Sequence, residues 1–169
     1  FVSCVSAVLT TALAFVLAYT IHYTNVPGGL KKFIRLAAVV PMLLPTITYG
    51  FAIIYSFGRQ GFITGMIGHQ MFEIYGFYGL LLGYVIYTLP ISFMLILNTM
   101  SFIDKKFMIV SRIMGDSPLK TFLGTVIRPL LGTLAASFVQ CFFLCFTDFG
   151  IPASVGGQYD VVATVLYNE

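Results

Sequence analysis

Residues 101–129 read SFIDKKFMIVSRIMGDSPLKTFLGTVIRP, the one long polar stretch of the chain, with apolar runs on both sides. Asp104 can accept a backbone N–H and cap a helix. Lys105–Met114 then runs without Gly or Pro, and Gly115 suits the left-handed residue that closes a helix. Asp116 or Ser117 can cap a second helix, with Pro118 at its first position, where a missing N–H does no harm. That second helix is expected to reach about Ile127, with Pro129 opening the next apolar run. In the first helix Phe107, Val110 and Met114 share a face, Ile109 and Ile113 lie beside it, and Lys105, Lys106 and Arg112 supply charge. An apolar helix face in an aqueous loop packs on the chain's own spans or docks another protein, and the pattern leaves both open.

The flanking runs define the class. Apolar residues make up 59% of the chain and charged residues 9%, with a mean hydropathy of +0.96. A soluble domain carries about 25% charged residues, so this is an integral membrane protein. The fold class is all-α, a polytopic bundle of about four spans with a helix–turn–helix loop. Residues 1–169 read as one transmembrane domain and 101–129 as its cytoplasmic loop. The chain begins at Phe1 inside an apolar run and stops at Glu169 in a polar stretch, so a piece of a longer protein is expected. A signal peptide is not, since Phe1–Tyr23 has no basic leader.

Segment one, Phe1 to about Tyr23, is lined by Ser3, Ser6, Ala7, Thr10, Ala12, Ala14 and Ala18, which permit close helix contact. Asn25–Arg35 reads as a turn, broken by Pro27-Gly28-Gly29 and carrying Lys31, Lys32 and Arg35. Segment two, about Leu36–Phe57, contains Pro41 and Pro45, then Thr46 and Thr48. Prolines inside a span free backbone carbonyls, which neighbouring helices or a water-lined path must satisfy. Either a path-lining helix or a plain kinked helix fits. Segment three, about Ile74–Met100, carries Gly79-x-x-x-Gly83 and a bend at Pro90, with Tyr75, Phe77 and Tyr78 as an interfacial belt. Segment four runs from Leu130 to about Phe149. Asp148 is expected at the bilayer edge, either as a hydrated helix-end carboxylate or as a functional group. Pro41, Pro45, Thr46, Thr48, Pro90 and Asp148 are the candidates for a transport path.

Orientation follows from charge. The loops after segments one and three hold eight of the nine Lys and Arg residues; only Arg59 lies elsewhere. Basic loops are retained in the cytoplasm, so Phe1 and the tail are expected outside and residues 101–129 inside. The net charge of +3 encodes orientation and implies no nucleic-acid partner. Cys4, Cys141 and Cys145 read as packing residues, and no metal-ligand spacing is present. Without a Walker motif, H-E-x-x-H or G-x-S-x-G, an enzyme and a bound cofactor are not expected.

Ile109–Gly115, Ser117-Pro118-Leu119 and Pro129 resemble the cytoplasmic loop of the membrane subunits of binding-protein-dependent ABC importers. That loop has an E-A-A triplet, a Gly four residues on and an I-x-L-P ending. Gly115 matches the Gly. The triplet positions are Ile109-Val110-Ser111, without the Glu, and Pro129 stands one residue further from the Gly than the pattern has it. The resemblance implies a permease that pairs with a second permease subunit or half, with ATPase subunits that bind ATP–Mg, and with an extracytoplasmic solute-binding protein. It implies an ATPase contact through Lys105, Phe107, Ile109, Val110, Ser111, Arg112, Gly115, Ser117 and Pro118. The tail, FTDFGIP then GGQYDVVAT, resembles permeases of the iron(III), polyamine and phosphonate group, nearest those for ferric iron or 2-aminoethylphosphonate. Two other classes stay open: a secondary transporter fragment, against which no carboxylate is expected mid-span, and a membrane scaffold without transport.

Overall fold

The computed structural model describes residues 1–69, 73–157, 159 and 161–168; Asp160 and Glu169 of the tail lie outside these. In order come α1 (Val2–Tyr23), α2 (Gly28–Val39), a 3-10 turn (Val40–Leu43), α3 (Thr46–Phe57), α4 (Phe62–Ile67), α5 (Phe77–Ser101), α6 (Lys106–Ile113), α7 (Pro118–Phe122), a π turn (Leu123–Ile127), α8 (Arg128–Thr147), α9 (Gly150–Val155) and α10 (Val162–Asn168). There is no strand among the described residues. Three helical runs are long and apolar enough to cross a membrane: Val2–Tyr23, Phe77–Ser101 and Pro118–Thr147. A fourth crossing is a bent pair, Gly28–Leu43 with Thr46–Ile67, at 112°.

Helices α1 and α5 run parallel. Phe1 stacks on Phe77, Thr10 Oγ1 lies 3.0 Å from Thr88 Oγ1, and Lys105 Nζ donates to the His22 carbonyl. The buried stripe of α1 is Ser6, Ala7, Thr10, Ala14 and Ala18, the small residues expected there; Ala12 faces out instead. Small side chains let two backbones approach when both solvents are oily. Helix α8 returns antiparallel. Ser137 Oγ donates to Ser92 Oγ at 2.9 Å, Cys141 Sγ touches Ser92 Oγ, and Thr133 Oγ1 donates to Thr99 Oγ1 at 3.3 Å. Cys141 and Cys145 are both buried, as packing residues should be, whereas Cys4 is exposed on α1, against the packing reading.

The basic segment after α1 is a helix, not the turn that Pro27-Gly28-Gly29 suggested. Pro27 stands outside it as the cap, and both glycines occupy its first turn, where weak propensity does least damage. Segment two is more than kinked. Its 3-10 turn stops at Leu43, Leu44 is extended, and α3 restarts at Thr46 behind Pro45. The Pro41 carbonyl accepts the Leu44 N–H within the 3-10 turn at 3.1 Å and a second bond from the Tyr49 hydroxyl. By contrast α5 runs unbroken through Pro90.

Two further corrections concern the fourth span. The second loop helix does not end near Ile127: α7, the π turn and α8 form one run of 30 residues. At ~1.5 Å per residue this is ~45 Å, longer than a hydrocarbon core, so its start projects into the cytoplasm. Pro129 lies inside it. A π turn spends one more residue than an α turn, so Leu123–Ile127 absorbs the extra residue between Gly115 and Pro129.

The second correction is the depth of Asp148. Helix α8 stops at Thr147, and α9 climbs the remaining distance beside α5. A Cβ on Gly83 would overlap Ile151, one on Gly79 would press on Val155, and Gly157 sits against Tyr75. Asp148 therefore precedes an element that begins near Gly83 and ends near Gly76. It lies ~10 Å below the outer end of α5, directly after the last residue of the fourth span.

The π turn makes a deletion testable. Removing Gly124 should convert Leu123–Ile127 to α-helix while leaving α8 in register, so the purified protein should keep its parental unfolding midpoint within a few degrees. Removing Ala135 should rotate half of α8 by ~100° and abolish folding. Thermal unfolding in detergent checks both, and loss of folding in the Gly124 deletion would contradict this account of the turn.

Candidate functional site

Two places concentrate the sequence candidates. The first is the joint between α5 and α8. Asp104 Oδ1 accepts the Lys106 N–H at 2.9 Å and opens α6. Gly115 closes it with φ +83°, a left-handed conformation that side chains resist. Ser117 Oγ caps α7 by accepting the Lys120 N–H at 3.4 Å, with Pro118 in the first turn. The joint also carries a network that the sequence reading did not name. Ser111 Oγ donates to Asp116 Oδ2 at 2.8 Å and lies 3.0 Å from Thr121 Oγ1, while Lys120 Nζ pairs with Asp116 Oδ1 at 2.6 Å. The hydrogen bonds from Lys120, and then from Ser111, hold the Asp116 carboxyl below its usual range. The signal was the i,i+4 spacing of Asp116 and Lys120.

The apolar face of α6 is uncovered. Phe107 is 64% exposed, Ile109 59%, Val110 51%, Ile113 80% and Met114 78%. Only Met108 packs back onto the core, beside Ile103 and Phe122. Self-packing, one of the two sequence readings, is thus excluded for this face among the described residues. Lys105 anchors the base of α6 to α1: its ammonium bonds the His22 carbonyl and stands 5.9 Å over the Tyr23 ring. Arg112 is exposed in the last turn.

The second place is where the two broken spans meet. The Asp148 carboxylate accepts the Ile151 N–H at 3.0 Å and a hydrogen bond from the Thr46 side chain, so it caps α9 and reaches the first residue of α3. Its exposure is 9%. The backbones are in contact here: a Cβ on Gly150 would collide with Thr46, and one on Gly50 with Ser154. Pro45, Thr46 and Asp148 therefore come together, and Pro41 joins through Tyr49. Thr48 is half-buried on α3, and Pro90 is buried inside α5, away from the breaks. Spacing did not show that Asp148 is buried beside the start of α3. Its Asp-Phe-Gly-Ile-Pro context held the signal, a helix-capping residue inside an apolar run.

A bent pair of helices that meets a buried carboxylate and an uncovered amphipathic helix between two spans define an α-helical, multi-pass membrane protein. The chain belongs to the family described as binding-protein-dependent transport system inner membrane component, which matches residues 7–168. It is 28% identical over 160 residues to the ferric transport system permease protein FbpB of Actinobacillus pleuropneumoniae, covering 90% of this chain and 23% of that protein. It is 30% identical over 156 residues to the thiamine transport system permease protein ThiP of Salmonella typhimurium, covering 90% of this chain and 29% of that one. It is 26% identical over 168 residues to the probable sulfate transport system permease protein cysT of Helicosporidium, covering 97% and 62%. The chain thus spans about a quarter of the length of the ferric and thiamine relatives.

If Asp148 holds the two breaks together, its shape and acceptor capacity matter more than its charge. Asp148→Asn should retain most of the stability, whereas Asp148→Leu should lose about 1–3 kcal/mol by leaving the Ile151 N–H and Thr46 unbonded in an apolar setting. Unfolding by sodium dodecyl sulfate in mixed micelles measures both. Equal losses for Asn and Leu would contradict the capping role.

Proposed function

We propose that the chain is the membrane-spanning permease part of a binding-protein-dependent ABC importer. With a second permease subunit or half it encloses the path. Separate cytoplasmic ATPase subunits, carrying ATP–Mg, supply the energy, and an extracytoplasmic solute-binding protein delivers the solute. The observation that carries this reading is α6, an amphipathic helix left uncovered between two spans and hinged at Gly115. Three features make it a lever. Lys105 ties its base to α1, the Ser111–Asp116–Lys120 network stiffens its joint, and the joint leads directly into the fourth span. A shift of α6 would reach α1 and α8 together, as coupling a bistable ATPase pair to alternating access requires. At the triplet positions, Ile109 in place of Glu makes that contact an apolar one.

For the solute we favour ferric iron or 2-aminoethylphosphonate. The tail motif supports this, as do two ferric relatives, the second from Haemophilus influenzae at 26% identity. The sulfate, thiamine and spermidine/putrescine relatives mark the wider class. A second reading, an ion-coupled transporter, gains one observation: Asp148 is a buried carboxylate at a helix break, the arrangement such proteins use to couple to H⁺ or Na⁺.

The test uses the full-length permease purified in lipid with its ATPase. Solute-loaded binding protein should stimulate ATP hydrolysis several-fold, and Gly115→Asp should abolish the stimulation while leaving membrane insertion intact, because the left-handed joint resists a side chain. Full stimulation in Gly115→Asp would remove the joint from the mechanism. Transport that follows a proton or sodium gradient without an ATPase would favour the second reading.

A further inference from the structure

The outer surface of the bundle carries a polar line that neither the coupling helix nor the contact between the two helix breaks uses. A groove of about 760 Å³ between α2, α5 and α8 is lined by Arg35, Asn98, Ser101 and Gln140, with Ile91 and Met94 on its apolar wall. All four polar residues are exposed. Their depths differ in an ordered way. Ser101 ends α5 at the cytoplasmic side, and Asn98 lies one turn in. Gln140 neighbours Cys141, which touches Ser92, nine residues from Ser101. That places Gln140 ~14 Å from the cytoplasmic end, near the middle of a ~30 Å core.

An amide facing hydrocarbon without a partner is penalised by several kcal/mol on water-to-alkane scales. Neither the Asn98 nor the Gln140 side chain bonds within the described residues. Arg35 is also without a carboxylate: the one ion pair among the described residues is Lys120–Asp116. No Asp or Glu lines the groove. Water in the groove, rather than lipid, would satisfy both amides. Gln140 is too deep to be a headgroup ligand, since anionic headgroups bind at the cytoplasmic boundary. The guanidinium at the mouth offers paired N–H donors that suit oxyanions.

We propose that this groove is the cytoplasmic half of the solute path, facing the second permease half, and that it takes an anionic, hydrogen-bonding solute: an oxyanion, or a metal carried as an anionic chelate. This deepens the permease reading and rests on it for the existence of a path. It disfavours organic cations, which would meet Arg35 without a counter-charge.

The experiment is cysteine labelling on the full-length permease in nanodiscs, with native cysteines replaced. Asn98→Cys, Gln140→Cys and, as an apolar-surface control, Val16→Cys are treated with membrane-impermeant thiosulfonates of either charge, with rates normalised to a free thiol. Asn98→Cys and Gln140→Cys should react at least tenfold faster than Val16→Cys. The anionic reagent should be preferred, and adding Arg35→Gln should reduce that preference at least threefold. Rates no higher than the control would place the groove against lipid and overturn the proposal. So would a charge preference indifferent to Arg35→Gln. Protection of Asn98→Cys by phosphatidylglycerol, absent in phosphatidylcholine, would assign the site to a lipid headgroup instead. Labelling needs no ATPase, so a failed importer test and a failed groove are separate results.

Discussion

A backbone break inside a membrane leaves peptide groups that no water can satisfy, and the rest of this structure depends on how two such breaks are closed. The chain interrupts itself at Leu44-Pro45 and again at Asp148-Phe149. Placed apart, each would strand N–H or C=O groups in hydrocarbon, at several kcal/mol each. Placed together, the two breaks pack on one another, and the Asp148 carboxylate caps one while meeting a side chain of the other. Asp148 accepts from the start of α9 and from Thr46 at the start of α3, and Tyr49 returns to the Pro41 carbonyl. At Gly150 a side chain would meet the α3 backbone, and at Gly50 and Gly83 it would overlap the Ser154 and Ile151 side chains of α9. The breaks allow the chain to be irregular at membrane depth, which a transport path needs and a plain bundle avoids.

Around this centre the straight helices form a frame. Helices α1 and α5 lie parallel over a stripe of small residues, and α8 is joined to α5 by hydroxyl and thiol contacts from Ser92 to Thr99. These bonds are modest individually, averaging roughly 0.6 kcal/mol in membranes, but they fix rotation about each helix axis. The same frame gives the cytoplasmic joint something rigid to act on. Lys105 reaches α1, and the joint leads into α8 without a flexible linker.

Much of the fold was legible because membrane spans announce themselves by length and apolarity, and because charge asymmetry assigns their ends. The joint was legible for a different reason: Asp104, Gly115, Ser117 and Pro118 are each required by local backbone geometry, so spacing alone positions them. What spacing could not show were properties set by tertiary contact. Pro27-Gly28-Gly29 looked like a turn because two glycines outweigh a following amphipathic pattern, until that pattern finds α5 to pack on, with Ile34 and Ala38 joining the core. Asp148 looked like the end of a span, because a carboxylate in an apolar run normally marks the boundary. Its depth depends on where α9 packs. Gln140 and Asn98 carry no local signature; only the groove they share gives them meaning. The extra residue before Pro129 was visible in the sequence, and its resolution as a π turn was not.

The central proposal is that α6 is a docking surface for an ATPase. The most direct measurement is photo-crosslinking from Ile113, the most exposed apolar residue of α6 at 80%, using a genetically encoded benzophenone in cells that express the intact transporter. The account predicts an adduct whose second component, by mass spectrometry, is a cytoplasmic subunit with a Walker motif, and that the adduct forms far less from Val16 on the apolar surface of α1. Adducts confined to lipid or to the permease itself would contradict it.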